Sequence, residues 1–108
     1  MILLTGGAGY IGSHIALALL DRSESVVVLD NLCTGHRWLV PEGAIFVEGD
    51  CADEALVDSL VKAHEIDAVI HCAGLISVAE SVERPLEYYD VNVAKAISLF
   101  KTVVAAGT

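Results

Sequence analysis

The sequence predicts an α/β fold, in which helices cover both faces of a doubly wound parallel sheet. Four apolar runs of strand length recur along the 108 residues. Segments with helical periodicity lie between these runs, and turn residues such as Pro41 and Gly43 separate the elements. Strands that alternate with helices in this way are typical of βαβ units, whose strands pair in parallel.

The individual elements follow in order along the chain. Strands are predicted at residues 2–4, 26–30, 44–48 and 66–71, helices at 10–21, 53–64 and 86–106, and a connecting segment at 75–85. Crossovers between parallel strands are right-handed, so the expected strand order is 3-2-1-4. Gly107 is expected to cap the last helix.

The apolar positions of the helices indicate which surfaces they bury. The first helix is expected to be buried because apolar residues line most of it, at Ile11, Ile15, Leu17, Ala18, Leu19 and Leu20. The second helix is expected to turn one face toward the sheet, formed by Leu56, Val57, Leu60 and Val61.

Three glycines, Gly6, Gly9 and Gly12, follow the first strand directly. Gly6 allows a tight turn off the strand, Gly9 lets backbone N–H groups approach a phosphate, and Gly12 allows the helix to pack closely on the sheet. The N-terminus of the helix adds partial positive charge. Between a strand and a helix, this spacing predicts a Rossmann-type site for the pyrophosphate of a dinucleotide.

The second strand is entirely apolar and ends at Asp30, 18 residues after Gly12. The dinucleotide pattern has an acid about 20 residues beyond the glycines, where its carboxylate accepts hydrogen bonds from the ribose hydroxyls of the adenosine. A carboxylate there repels a 2′-phosphate, which favours NAD over NADP. The alternative is that Asp30 only ends its strand.

Composition narrows the classes of function. The net charge of −9 makes nucleic acid and anionic membranes poor partners. Cys33, Cys51 and Cys72 have no paired spacing, which favours free thiols in a reducing cytoplasm. The histidines are not spaced as metal ligands, and no apolar stretch is long enough to span a membrane. A hydrophobic content of 55% is high for a free-standing small domain and indicates a portion of a larger enzyme.

Five strings of residues resemble the extended short-chain dehydrogenase/reductase family of NAD-dependent epimerases and dehydratases. They are TGGAGYIGSH at 5–14, LDNLC at 29–33, FVEGD at 46–50, DAVIHCAGL at 67–75 and ESVERPLEYYD at 80–90. The first string is specific to the family, and residues 79–89 point to its sugar-nucleotide 4-epimerase branch. The resemblance covers nearly all of the chain but only about the first third of such an enzyme. We therefore expect these residues to lack the fifth strand, the catalytic segment and the substrate domain.

The resemblance implies where the pyrophosphate and the adenosine ribose would lie. The backbone of Tyr10 and Ile11 would face the pyrophosphate. The side chains of Asp30 and Asn31 would hold the ribose. The residues that would wrap the same end of the cofactor are Leu32, Cys33, Thr34 and Gly35.

The resemblance also implies contacts to the base and to the floor of the pocket. The Asp50 side chain and the Cys51 backbone would meet the adenine edge. Asn92 would fix backbone in the pocket from the last helix. The floor beneath the ribose and pyrophosphate would be formed by Cys72, Ala73 and Gly74. The alternatives are that Asp50 starts the next helix, that residues 73–74 are an ordinary strand exit, and that Asn92 faces water.

The sequence departs from the family pattern at two places. Ile76 stands where many members carry a lysine, which removes one polar contact to the cofactor. Ala94 and Lys95 follow Val93 where a small Gly-Thr type pair is common.

The activity implied by the resemblance is the interconversion of UDP-glucose and UDP-galactose by a homodimeric enzyme. Hydride would pass transiently from C4 of the sugar to NAD, and the family's catalysts are a Ser or Thr and a Tyr-x-x-x-Lys. None of Tyr10, Tyr88 and Tyr89 has a lysine four residues on, so we expect the 108 residues alone to be inactive. The alternatives are a sugar-nucleotide dehydratase or reductase of the same family, and a non-catalytic NAD-binding module.

Overall fold

A single four-stranded sheet forms the centre of the computed structural model, which describes residues 1–108. Its strands are β1 (Ile2–Thr5), β2 (Val26–Asp30), β3 (Ile45–Glu48) and β4 (Ala68–His71). All neighbouring strands are parallel, in the order β3-β2-β1-β4. The predicted fold class and strand order are therefore confirmed.

Helices connect the strands and follow the last of them. They are α1 (Tyr10–Asp21), α2 (Glu54–Ala63), α3 (Val78–Glu83), α4 (Pro85–Tyr89) and α5 (Lys95–Ala105), with a 3₁₀ turn at Arg37–Leu39 and a π-helical turn at Asp90–Ala94. The bounds of α1 and β2 are those predicted. Gly107 adopts φ +97° and the N–H of Thr108 bonds to the carbonyl of Val103, so the predicted glycine cap of α5 is confirmed.

The segment before the last helix differs from the prediction. Helix α3 lies within the predicted connecting segment, and Ser77 caps it by accepting the N–H of Glu80. The predicted continuous helix over 86–106 is instead two α-helices joined by the π-helical turn. Such turns insert one residue into a helix and are frequent at functional sites.

The core lies on both faces of the sheet. On one face, α2 and α5 pack on β1 and β2 through a cluster made by Leu3, Val27, Leu29, Val57, Leu60, Val61, Ile66, Leu99 and Val103. On the other face, α1 packs on the same strands through Leu4, Ala8, Ala16, Val26, Val28 and Val40. All five residues of β2 are buried, as expected for a strand covered on both sides.

Helix α1 is less buried than its composition predicts. Only Gly12, Ser13 and Ala16 are buried in it, while Ile11 and Leu17 are 67% and 47% exposed. Ala16 lies within the buried cluster on the sheet, and Ile15, Leu19 and Leu20 pack against that cluster while remaining partly exposed. The expectation of a buried first helix therefore holds for one side of α1 only.

Strand β4 pairs with β1 along one edge, and its other edge is unpaired. Ala68 is correspondingly exposed, and the other three residues of β4 are only partly buried. None of the helices has both the length and the apolar character that a membrane span requires.

Candidate dinucleotide-binding site

The turn after β1 needs glycine for two separate reasons. Gly6 adopts φ +70°, and a Cβ there would lie 2.5 Å from the backbone nitrogen of Ala73. A Cβ on Gly12 would overlap the carbonyl of Gly6. Gly12 therefore allows α1 to approach the turn that precedes it, rather than the sheet itself. Together the two glycines bring the start of α1 beside the residues that follow β4.

Free N–H groups gather at the N-terminus of α1. The N–H of Ser13 is the first in the helix with a backbone partner, the carbonyl of Gly9 at 3.0 Å. The N–H groups of Tyr10, Ile11 and Gly12 make no hydrogen bond within the chain, and no side chain caps the helix. They lie at the positive end of the helix dipole.

The space in front of these donors is open. A Cβ on Gly9 would meet only the carbonyl oxygen of Gly6, at 3.4 Å. Glycine at this position is therefore not required by packing within the chain, although it keeps the approach to the N–H groups clear. Three unpaired donors, a helix dipole and an unobstructed approach fit the pyrophosphate of a dinucleotide.

Asp30 is buried and fastens the glycine-rich turn. Its Oδ2 accepts the N–H of Ala8 at 3.0 Å, and its Oδ1 accepts the N–H of Leu32 at 2.8 Å. Asp30 therefore joins the end of β2 to the glycine-rich turn, a structural role that leaves both the ribose contact and its alternative open. A carboxylate offers about four acceptor sites, so each oxygen keeps capacity for one more donor. Contact with a ribose hydroxyl stays a prediction.

Residues 31–35 fold back over the same turn. The side chain of Asn31 accepts the N–H of Cys33 at 2.9 Å, and Leu32 adopts φ +59°. Gly35 lies so close to Ala8 that a Cβ would be 2.9 Å from its carbonyl oxygen. Cys33 and Thr34 are exposed at the outside of this bend. The segment predicted to wrap one end of the cofactor thus lies against the glycine-rich turn.

Asp50 follows β3 at the same edge of the sheet, where it has a partner that the sequence did not reveal. Its Oδ1 accepts the N–H of Ala52 at 2.8 Å, and its Oδ2 accepts from Nζ of Lys95 at 2.6 Å. Burial alone would raise the pKa of Asp50, but the bonds from Lys95 and Ala52 outweigh it and lower the pKa below 3.8. The hydrogen bond to Asp50 in turn raises the pKa of Lys95 above 10.5.

The helix after Asp50 is capped by another residue. Asp53 accepts the N–H of Leu56 at 3.1 Å, and α2 starts at Glu54. The alternative that Asp50 starts this helix is therefore wrong. Next to Asp50, the thiol of Cys51 is half-buried, and burial together with the charge of Asp50 raises its pKa above 9.0.

The floor of the site is held by hydrogen bonds from β1 and from the π-helical turn. The N–H of Cys72 bonds to the carbonyl of Thr5 at 3.0 Å, which continues the pairing of β4 with β1. Asn92 accepts the N–H of Leu75 at 2.8 Å and donates to its carbonyl at 2.9 Å. A Cβ on Gly74 would lie 3.1 Å from Oδ1 of Asn92. Asn92 is exposed, but both ends of its amide bind backbone, as the resemblance implied.

Tyr88 organises the segment beyond the floor. Its hydroxyl accepts the N–H of Ser77 at 3.1 Å and donates to Oε1 of Glu80 at 3.1 Å. A cleft of about 310 Å³ opens beside it, and the lining residues are Ser81, Pro85, Tyr88, Tyr89, Asn92 and Val93. The spacing of Ser77 and Glu80, typical of a helix start, was the signal that could have revealed α3.

The predicted cofactor residues thus gather at one edge of the sheet, outside the carboxyl ends of the strands. Strand order reverses there between β1 and β4, and ligands of doubly wound folds bind at such a point. The chain has no group of three His, Cys, Asp or Glu side chains arranged to hold a metal ion. Contact of each residue with a cofactor stays a prediction.

Comparison with known proteins identifies relatives of this chain. The chain is 48% identical over 113 residues to a UDP-glucose 4-epimerase of Klebsiella pneumoniae, covering 98% of this chain and 81% of that protein. It is 44% identical over 106 residues to a UDP-glucose 4-epimerase of Azospirillum brasilense, covering 98% of this chain but only 30% of that protein.

Solved structures of UDP-glucose 4-epimerases are also similar to this chain. The UDP-glucose 4-epimerase of Brucella ovis in complex with NAD superposes with a TM-score of 0.89 at 44% identity, covering 94% of this chain and 31% of that one. The enzyme of Bifidobacterium longum in complex with NAD⁺ and UDP gives a TM-score of 0.90 at 35% identity, covering 97% and 33%. The model of the NAD dependent epimerase/dehydratase family matches residues 2–108, and the chain belongs to this family.

Proposed function

We propose that residues 1–108 are the NAD-binding part of a UDP-glucose 4-epimerase. The observation that carries the proposal is the group of free N–H donors at Tyr10, Ile11 and Gly12, with the buried carboxylate of Asp30 fastened beside them. Two UDP-glucose 4-epimerases are 44% and 48% identical over nearly the whole chain, and two others, 40% and 44% identical, were crystallised with NAD. The chain spans about a third of most of these proteins, so the activity of the whole enzyme is part of the proposal.

The chemistry of the proposed reaction divides between this chain and the rest of the enzyme. When bound, NAD would supply the hydride acceptor and donor for chemistry at C4 of the sugar. The residues of this chain bind and orient it: backbone donors of α1 take the pyrophosphate, and Asp30 takes the ribose and disfavours a 2′-phosphate. No tyrosine here is followed by a lysine four residues on, so the 108 residues contain no general base of the family type.

The nucleotide-sugar substrate would meet the segment after β4. The structure of a relative from Thermotoga maritima contains UDP-glucose, and that of Bifidobacterium longum contains UDP. The cleft beside Tyr88 and Asn92 lies next to the proposed floor of the cofactor site. We therefore assign a nucleotide sugar as the substrate class of the complete protein.

Calorimetry and an activity assay test the two halves of the proposal separately. The purified 108-residue chain, shown to be folded by a cooperative thermal transition, is titrated with NAD, NADP and ADP-ribose. We expect NAD and ADP-ribose to bind, and NADP to bind about tenfold more weakly or worse, which corresponds to about 1.4 kcal/mol. A folded chain that binds neither NAD nor ADP-ribose would overturn the cofactor assignment. Interconversion of UDP-glucose and UDP-galactose by the chain would overturn the proposed inactivity.

A further inference from the structure

Lys95 lies at the adenine end of the proposed site, and the family pattern gives it no role. It is the first residue of α5, directly after the π-helical turn, and its Nζ is 2.6 Å from Oδ2 of Asp50. The two residues are 45 positions apart in the chain, and their side chains are 27% and 37% exposed. The other ion pairs are local in sequence or involve the N-terminal amino group. Lys95 therefore joins α5 to the end of β3 by a contact that tertiary structure alone creates.

The pair combines acceptors and donors at one place. Two of the roughly four acceptor sites of the Asp50 carboxylate are used, by the N–H of Ala52 and by Lys95. An ammonium group has three donors, and Asp50 is the one hydrogen-bond partner of Lys95. Both groups thus keep unused hydrogen-bonding capacity, and both remain accessible to a ligand. A small residue in place of Lys95 would leave only the acceptor.

A carboxylate acceptor beside an ammonium donor affects which purine base the site can bind. The exocyclic 6-amino group of adenine is a donor and suits a carboxylate, whereas the 6-oxo group of hypoxanthine is an acceptor and is repelled by one. An ammonium beside the carboxylate offers the 6-oxo group a charge-assisted donor. It also neutralises the carboxylate that would otherwise exclude a carbonyl oxygen.

We propose that Lys95 is a specificity-determining residue that relaxes the choice between 6-amino and 6-oxo purine dinucleotides. Asp50 accepts from the amino group of NAD, and Lys95 donates to the carbonyl of nicotinamide hypoxanthine dinucleotide. The inference rests on the proposed function, because it takes Asp50 and Cys51 as the adenine edge of an NAD site.

The test compares the Kd values of the two dinucleotides on the same protein by calorimetry. In Lys95→Ala, the ratio of the Kd for the hypoxanthine dinucleotide to the Kd for NAD is expected to rise about tenfold over the unsubstituted chain, or about 1.4 kcal/mol. The Kd for NAD itself is expected to change by less than about threefold. Because both ligands bind the same protein, a smaller folded fraction in the variant cancels from the ratio.

Two further variants separate the charge of Lys95 from its bulk. Lys95→Met keeps a long side chain without the charge and is expected to behave as Lys95→Ala does. Lys101→Ala removes an exposed lysine of the same helix that makes no ion pair, and its ratio is expected to equal that of the unsubstituted chain. NAD binding with an unchanged ratio in both Lys95 variants would overturn this inference alone. A folded chain that fails to bind NAD would overturn the proposed function as well.

Discussion

The carboxylate of Asp30 holds the N–H of Ala8 at 3.0 Å, although 22 residues separate the two in the chain. The bond joins the end of β2 to the middle of the glycine-rich turn after β1. The same carboxylate accepts the N–H of Leu32, and Asp30 is only 9% exposed. One buried side chain therefore sets the position of the two loops between which a dinucleotide would lie.

Removal of this carboxylate is expected to weaken both the fold and cofactor binding. In Asp30→Ala, the N–H groups of Ala8 and Leu32 lose their partner, which costs about 2–4 kcal/mol of unfolding free energy in total. In Asp30→Asn, we expect a smaller loss of stability and a smaller preference for NAD over NADP, because the charge that repels a 2′-phosphate is gone. Urea unfolding and calorimetry measure the two effects.

The matched control is Asp21→Asn, at the exposed end of α1. It removes the same charge without a buried partner and is expected to stay within about 0.5 kcal/mol of the unsubstituted chain. If Asp30→Ala unfolded at the same urea concentration as this control, the structural role assigned to Asp30 would be wrong.

Two glycines of the turn are expected to respond differently to the same added methyl group. In Gly12→Ala, the Cβ overlaps the backbone of Gly6, which cannot move aside, so we expect a loss of about 1–3 kcal/mol in unfolding free energy. In Gly9→Ala, the nearest atom to the Cβ is at 3.4 Å and φ is −85°, so stability is expected to hold within about 0.5 kcal/mol.

The effect of Gly9→Ala on NAD should be large despite the intact fold. We expect its methyl group to obstruct a phosphate that approaches the free N–H groups of Tyr10 and Ile11. We expect the Kd for NAD to rise about tenfold or more in calorimetry, the equivalent of at least about 1.4 kcal/mol. Wild-type affinity in a folded Gly9→Ala chain would show that the pyrophosphate does not lie at this helix end.

The features that sequence predicted well are those with a local pattern. The apolar run that ends at Asp30 defines β2, and the glycine spacing before Tyr10 defines the start of α1. Strand order followed from the handedness of crossovers, which is a property of any βαβ unit. The buried side of α1 could not be predicted in this way, because the helix carries apolar residues on nearly all sides. Only packing decides that Ala16, rather than Leu17, faces the sheet.

The features that sequence did not predict depend on contacts between distant positions. Lys95 and Asp50 are 45 residues apart. The resemblance implied that Asn92 fixes backbone, but it did not identify Leu75, 17 residues away, as the partner. The residues that neighbour each position in the sequence do not indicate either contact. The π-helical turn that contains Asn92 has no residue pattern that distinguishes it from an α-helix. Helix α3 is different, because the Ser77–Glu80 spacing at its start is a local pattern typical of helix N-termini.

The amide of Asn92 is expected to hold the backbone after β4 in place. Asn92→Ala removes both hydrogen bonds to Leu75, and because the site is exposed to water we expect a loss of only about 1–2 kcal/mol. Exchange of the Leu75 amide hydrogen should accelerate, while the amides of β2 serve as an internal reference. In Asn92→Asp, an oxygen replaces the donor that faces the Leu75 carbonyl, so at neutral pH it should be no more stable than Asn92→Ala. Unchanged exchange at Leu75 in both variants would contradict the assigned role.

His71 is expected to make stability depend on pH near neutrality. Its Nδ1 lies 2.6 Å from Oγ1 of Thr5, and its ring makes a T-shaped contact with the ring of Phe100, with centroids 5.6 Å apart. Burial at this place lowers the pKa of His71 below 6.5. Between the lowered pKa and 6.5, the unfolded chain binds more protons than the folded chain, so stability rises with pH. The contribution of His71 is complete above pH 6.5 and is lost as the pH falls through the lowered pKa.

A histidine-to-glutamine comparison isolates this contribution. Urea unfolding between pH 5 and 7.5 is measured for the unsubstituted chain, for His71→Gln and for His14→Gln, whose histidine is exposed on α1. We expect the slope of unfolding free energy against pH to flatten in His71→Gln, because its amide does not titrate, whereas His14→Gln should follow the unsubstituted chain. A wild-type slope in His71→Gln would mean that the neutral imidazole at the end of β4 is not favoured by folding. The sign of the slope is itself diagnostic, since a histidine stabilised in its charged form by a neighbouring acid would make stability fall, not rise, with pH.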